Sequence, residues 1–163
     1  MSEQMLLQDS AAVIDGRFVQ ANRSGRIGDS GQPGSLISAR DIKKTAVPKR
    51  VLVVEDNLDS VHALALLLHD MGHIVEYAIN GYVALDVARR FHPDFVLLDL
   101  GLPGMDGFEV CRQLKRDVTM RRSRVIVITA FSQAEYRARA AGAGCELYLV
   151  KPVATNVLEE LLG

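Results

Sequence analysis

The sequence predicts an α/β domain in which five parallel strands alternate with five helices in a doubly wound sheet. Three observations carry that prediction. Short runs rich in Val, Ile and Leu fall at 51–54, 74–78, 95–100, 125–129 and 147–150. Between them lie stretches with apolar residues at helical spacing, bounded by residues that start and stop helices. Finally, 48% of the 163 residues are hydrophobic, enough for a genuine core in one domain with a tail.

Taken in chain order, the first 48 residues differ from the rest. Gly16, Gly25, Gly28, Gly31 and Gly34 are spread among Ser, Asn, Asp and Arg, with Pro33 and Pro48 as breakers. Apolar residues come only in fragments such as Met5-Leu6-Leu7, Val13-Ile14 and Phe18-Val19. Such a segment buries too little surface to offset its ordering entropy, so residues 1–48 read as a flexible extension. A docking segment that orders on a partner is the sharper alternative. From Lys49 the texture changes. Most of the apolar runs lack strict alternation, as strands buried on both faces of a parallel sheet do.

The intervening segments repeat Val61, Leu64, Ala65 and Leu68, then Val83, Val87 and Phe91, then Val157, Leu158 and Leu161 at helical spacing. Asp106 with Glu109, and Ser132 with Glu135, have capping-box spacing. Gly72, Pro93 and Gly142 stand where helices should stop. The domain is therefore expected over residues 49–163.

Composition excludes several classes. A net charge of −1 supplies no global attraction to nucleic acid or anionic membrane. Arg121, Arg122 and Arg124 have no interleaved aromatic residues, so they read as a solvated loop. The run at 64–68 is far too short to span a membrane, and Met1-Ser-Glu-Gln lacks the basic start of a signal peptide. A cytoplasmic protein is the expectation. Cys111 and Cys145 have neither metal-type nor redox-type spacing and read as core packing. The histidines at 62, 69, 73 and 92 also lack ligand spacing and receive no role.

The chemistry concentrates at strand ends. Glu55 and Asp56 follow the first strand, and Asp99 comes near the end of the third. In an open α/β sheet ligands bind outside the carboxyl ends of the strands, where strand order reverses. For the flavodoxin-like order 2-1-3-4-5, that point lies between strands one and three. The three acids therefore converge. Carboxylates ~4 Å apart repel by about 4 kcal/mol at an effective dielectric of 20. A hard divalent cation removes that penalty, and an all-oxygen site open to water suits Mg²⁺. Thr129 ends the fourth strand and Lys151 follows the fifth. At the same edge they could hydrogen-bond and neutralise an incoming phosphoryl group.

Four blocks together resemble the CheY-like receiver domains of response regulators: 51–57 (VLVVEDN), 94–107 (DFVLLDLGLPGMDG), 125–130 (VIVITA) and 148–152 (YLVKP). The resemblance covers about 49–163. It implies Asp99 as phosphoacceptor, with Mg²⁺ held by Glu55, Asp56, Asp99 and the backbone carbonyl of Gly101. It further implies Thr129 as switch hydroxyl, Lys151 as phosphate-sensing lysine, Tyr148 as rotamer switch, and a cis bond before Pro152. Pro103, Gly104 and Gly107 would shape the loop after the acceptor.

The implied partner is a sensor histidine kinase or phosphotransfer protein. The only catalysis would be transfer to the domain itself and its own dephosphorylation. Gly101 offers no side chain to orient water and Phe131 is bulky, so both are expected to lengthen the lifetime of the phosphorylated state. Nothing after the fifth helix is long enough for an effector. Output is therefore expected through the fourth helix, fifth strand and fifth helix, to another protein or a second receiver. Arg137 and Arg139, beside Ala134, Ala138 and Ala141, read as a partner face or, more commonly, a solvated one.

A phosphatase of the haloacid-dehalogenase type would need an acid where Gly101 stands. A non-phosphorylated pseudo-receiver, and a receiver fragment of a hybrid kinase, remain alternatives.

Overall fold

Branched side chains are restricted in a helix but pack well on a pleated sheet, and the Val- and Ile-rich runs become strands accordingly. In the computed structural model, residues 11–14, 17–20 and 47–163 are described. The strands of the main sheet are β1 (Arg50–Val54), β2 (Ile74–Ala78), β3 (Phe95–Leu98), β4 (Arg124–Thr129) and β5 (Leu147–Val150). Helices α1 (Leu58–Asp70), α2 (Gly81–Phe91), α3 (Gly107–Arg116), α4 (Ala134–Ala143) and α5 (Thr155–Leu162) follow them in turn. The sheet order is β2-β1-β3-β4-β5 with every pairing parallel, as expected from the sequence.

Alternate residues of a strand face opposite ways, so each central strand feeds two cores. On one face Leu52, Val54, Val96, Leu98, Val125 and Val127 pack against α2, α3 and α4. On the other, Val51, Val53, Phe95, Leu97, Ile126 and Ile128 pack against α1 and α5. Burial on both faces is why these runs are continuously apolar.

The edge strand β2 is paired only with β1, and it leaves Ile74 and Tyr77 about half exposed. Several expectations are corrected. On α2 the buried stripe runs through Ala84, Leu85, Ala88 and Phe91, and Val83 points outward. The third strand ends at Leu98 rather than residue 100. There the chain turns away toward α3, the Leu100 carbonyl accepting from the Gly107 N–H at 3.3 Å. Ser132 does not cap α4. Gln133 is its N-cap residue and makes no side-chain cap bond. Gly142 does not end that helix either, because Gly144 takes the left-handed position at φ 94°. Its N–H returns to the Ala140 and Ala141 carbonyls.

Within the first 48 residues, strands Ala11–Ile14 and Arg17–Gln20 pair antiparallel. They coincide with the fragments Val13-Ile14 and Phe18-Val19. The Asp15-Gly16 dipeptide between them in sequence is a strong hairpin signal. Among the described residues no helix is long and apolar enough to cross a membrane.

The start of the domain is tied down by His73. This buried imidazole accepts the Lys49 N–H on Nδ1 at 3.2 Å, and burial, with Lys49 nearby, pushes its pKa below the ordinary value. The unfolded chain therefore takes up a proton before the folded one does. Stability should rise with pH through the histidine range and fall on acidification below about 6.5. Thermal melts across pH 5 to 8 should show this slope in the wild type and a shallower one in His73→Asn. Equal slopes would remove His73 as the cause.

Candidate functional site

Backbone bonds at the carboxyl edge of the sheet position the acids. Glu55 leaves β1 with its N–H bonded to the Ala78 carbonyl at 3.0 Å. Asn57 then starts α1 as its cap, its side chain accepting from the Ser60 N–H at 2.9 Å. The Asn57 N–H donates to Glu55 Oε1 at 3.2 Å. Glu55 is thereby held in a buried position, while the next residue, Asp56, stays exposed. Asp99 lies one residue beyond β3, its N–H bonded to the Val54 carbonyl at 2.9 Å.

Lys151 joins them from β5. Its N–H donates to the Thr129 carbonyl at 2.8 Å, and its ammonium donates to Asp99 Oδ2 at 3.1 Å and to Glu55 Oε2. Gly101 N–H donates to the other Asp99 oxygen, Oδ1, at 3.2 Å. One oxygen each from Glu55, Asp56 and Asp99 lies within 4.8 Å of the others. The donor set is all oxygen, and Asp56 opens it to water, which is the chemistry of a small hard cation such as Mg²⁺. The residues fit such an ion.

The electrostatics follow from these contacts. Burial opposes ionisation of Asp99, but the Gly101 N–H, Lys151 and the Thr129 hydroxyl together hold its carboxyl below the usual range. Burial likewise disfavours the Lys151 ammonium. The Glu55 and Asp99 carboxylates outweigh it, and the lysine pKa lies above its ordinary value. The site is thus charged on both sides, with two carboxylates sharing one ammonium.

Of the sequence candidates, Glu55, Asp56, Asp99, Thr129 and Lys151 meet at this edge, with Gly101 beside them. Thr129 is fully buried at the end of β4. The Lys151–Pro152 bond is cis. Tyr148 is on β5, three residues before Lys151. It is buried, and its hydroxyl donates to the Phe131 carbonyl at 2.7 Å. Phe131 stacks on Tyr136 at 4.8 Å between centroids, and Tyr136 in turn faces Phe108 at 6.1 Å. Arg139 covers Phe108 at 4.1 Å, and Arg137 covers Tyr148 at 5.1 Å. These arginines are therefore engaged with rings, each such contact being worth about 0.5–1 kcal/mol where exposed.

Sequence reasoning overlooked Asn57, whose Asx cap was legible from its place before a helix. It also overlooked Tyr136 and Phe108, which no local pattern joins.

Comparison with known proteins agrees with this geometry. The family model of the response regulator receiver domain matches residues 51–163. The polar-differentiation response regulator DivK of Brucella anthropi is 38% identical over 107 residues, covering 66% of this chain and 87% of that protein. Chemotaxis protein CheY4 of Vibrio cholerae superposes with a TM-score of 0.67 at 26% identity, over 71% of this chain and 97% of that one. The receiver domain of the sensor histidine kinase PA1611 of Pseudomonas aeruginosa PAO1 has a magnesium ion coordinated in its active-site cleft. It superposes with a TM-score of 0.66 at 29% identity, over 71% of this chain and 95% of that one.

The loop after Asp99 leaves no room at one glycine. A Cβ on Gly107 would stand 2.6 Å from the Asp99 carbonyl oxygen and 2.8 Å from Leu100 Cα, both backbone atoms. Gly107→Ala should destabilise the domain by about 1–3 kcal/mol in urea melts, as overpacking does. Gly142, inside α4 with nothing within 4 Å of its Cβ position, is the control. Gly142→Ala should stabilise by roughly 0.5–1 kcal/mol. A neutral Gly107→Ala would show that the loop is free to shift.

Proposed function

The chain belongs to the response regulator receiver domain family, so it is a receiver of two-component signalling, and from that premise we propose that Asp99 accepts the phosphoryl group. The single observation carrying this reading is the contact set of Asp99. One of its oxygens is held by Lys151, the other by Gly101, and the Glu55 and Asp56 carboxylates stand beside it. In the proposed reaction an Asp99 oxygen attacks the phosphorus of a phosphohistidine. The P–N bond breaks as the new P–O bond forms, and the donor histidine, already protonated on its other ring nitrogen, leaves as neutral imidazole. The donor is a sensor histidine kinase or a phosphotransfer protein, and the two meet in the cytoplasm.

Glu55, Asp56, Asp99 and the Gly101 carbonyl would hold Mg²⁺, which neutralises charge on the phosphoryl oxygens. Lys151 supplies the second positive charge, moving from the Asp99 carboxylate to a phosphoryl oxygen. The Thr129 hydroxyl donates to another. Thr129 then shifts toward the phosphoryl group, and the Tyr148 hydroxyl gives up the Phe131 carbonyl. That movement biases the surface of α4, β5 and α5 toward a downstream protein or a second receiver. Hydrolysis of the acyl phosphate resets the switch. Phe131 slows this step, because its ring comes within 3.8 Å of where a Gly101 side chain would begin, close to Asp99.

Incubation with Mg²⁺ and acetyl phosphate or phosphoramidate should add one phosphoryl mass to the wild type and none to Asp99→Asn. Equal modification of both would remove Asp99 from the role. Modification of neither would favour a pseudo-receiver.

In a separate chase, phosphorylated Phe131→Ala should decay faster than wild type, by roughly tenfold if shielding lowers the water's access by about 1.4 kcal/mol. Unchanged or slower decay would contradict the shielding.

A further inference from the structure

Cys111 and Cys145 lie outside the site around Asp99. Cys111 is on the buried face of α3. Cys145 follows Gly144, the residue whose left-handed backbone ends α4, just before β5. Although 34 residues apart in sequence, their sulfurs stand 2.6 Å apart, the Cys145 thiol donating to Cys111 Sγ. The Cys111 thiol is directed at the Ala143 carbonyl at 3.4 Å. A formed disulfide has an S–S distance of about 2.05 Å, so closing the bond needs a movement of roughly half an ångström.

Access and charge differ between the two. Cys111 is fully buried, whereas Cys145 is half-buried between the exposed Gly144 and Glu146. Lys115, on the next turn of α3, favours loss of a proton from either thiol. The hydrogen bond from Cys145 draws the Cys111 thiol below its ordinary value, and the neighbouring sulfur, with burial, pushes Cys145 upward. Titration therefore belongs to the pair. The first proton leaves from Cys111, and the second stays on Cys145, which donates it to the Cys111 sulfur.

We propose that Cys111 and Cys145 are a reversible oxidation site, closing an intramolecular disulfide in response to a peroxide and thereby tethering α3 to the connection between α4 and β5. When the Cys145 proton crosses its hydrogen bond to the Cys111 thiolate, the accessible Cys145 sulfur becomes the thiolate and attacks a peroxide oxygen. The O–O bond breaks, hydroxide leaves and is protonated to water, and Cys145 becomes a sulfenic acid. The Cys111 sulfur then attacks the Cys145 sulfur. The S–O bond breaks, and hydroxide departs with the Cys111 proton as a second water. Two thiols lose two electrons in all, and one hydrogen peroxide is reduced to two waters. Low-molecular-weight thiols reverse the step by exchange. The cross-link fixes the end of α4 to α3, independently of any event at Asp99.

The test uses the reduced full chain, treated in native buffer with hydrogen peroxide, then unfolded and alkylated. The expected product is a monomer that has lost two hydrogens, takes up no alkylating label, and yields a Cys111–Cys145 cross-linked peptide. Dithiothreitol should restore both labels. In Cys111→Ser, Cys145 should instead gain oxygen atoms or form an intermolecular dimer, and in Cys145→Ser the remaining thiol should stay alkylatable. Three wild-type outcomes overturn the proposal, whether or not the variants fold: both thiols still alkylatable after peroxide, oxygen added without cross-linking, or intermolecular dimers alone.

Discussion

The ammonium of Lys151, shared between Glu55 and Asp99, is the interaction on which the rest of the structure depends. Three carboxylates drawn to one edge would repel strongly in a partly desolvated place. Each close pair costs about 4 kcal/mol at 4 Å and an effective dielectric of 20. One lysine offsets part of that repulsion and leaves a net negative site. Such a site is stable enough to fold and unbalanced enough to take up another cation.

No single segment could build it. Glu55 and Asp56 follow β1, Asp99 follows β3, Thr129 ends β4 and Lys151 follows β5. The order β2-β1-β3-β4-β5 makes β1 and β3 neighbours, and the backbone bonds from Glu55, Asp99 and Lys151 to adjacent strands fix where each side chain leaves. The same edge is coupled to α4. Phe131 stacks on Tyr136 of that helix, and its carbonyl holds the Tyr148 hydroxyl of β5. A movement of Thr129, two residues away, therefore has a direct mechanical route to α4 and β5.

How much of this was legible depended on whether the signal was local. The central strands were clear because burial on both faces leaves only apolar residues, as at Val51, Val53, Val96 and Ile126. The acids at the strand ends were clear because topology alone brings them together. The outward Val83 was misread, since hydrophobicity does not report which side of an element has a neighbour. The end of α4 was misplaced by two residues because two glycines compete there, and only Gly144 takes a positive φ. The pairing of Cys111 with Cys145 is purely tertiary, so spacing rules for cysteines could not have found it. The expectation of a flexible extension over residues 1–48 falls mostly outside the described residues, which there are 11–14, 17–20 and 47–48.

The central claim is that the carboxylates around Lys151 form one cation site. Titrating Mg²⁺ while following backbone amide resonances tests it most directly. The account predicts saturable shifts for residues 55–57, 99–101, 129 and 151 that share one dissociation constant and vanish in Asp56→Asn. Shifts that do not saturate, that centre elsewhere, or that persist unchanged in Asp56→Asn would contradict it.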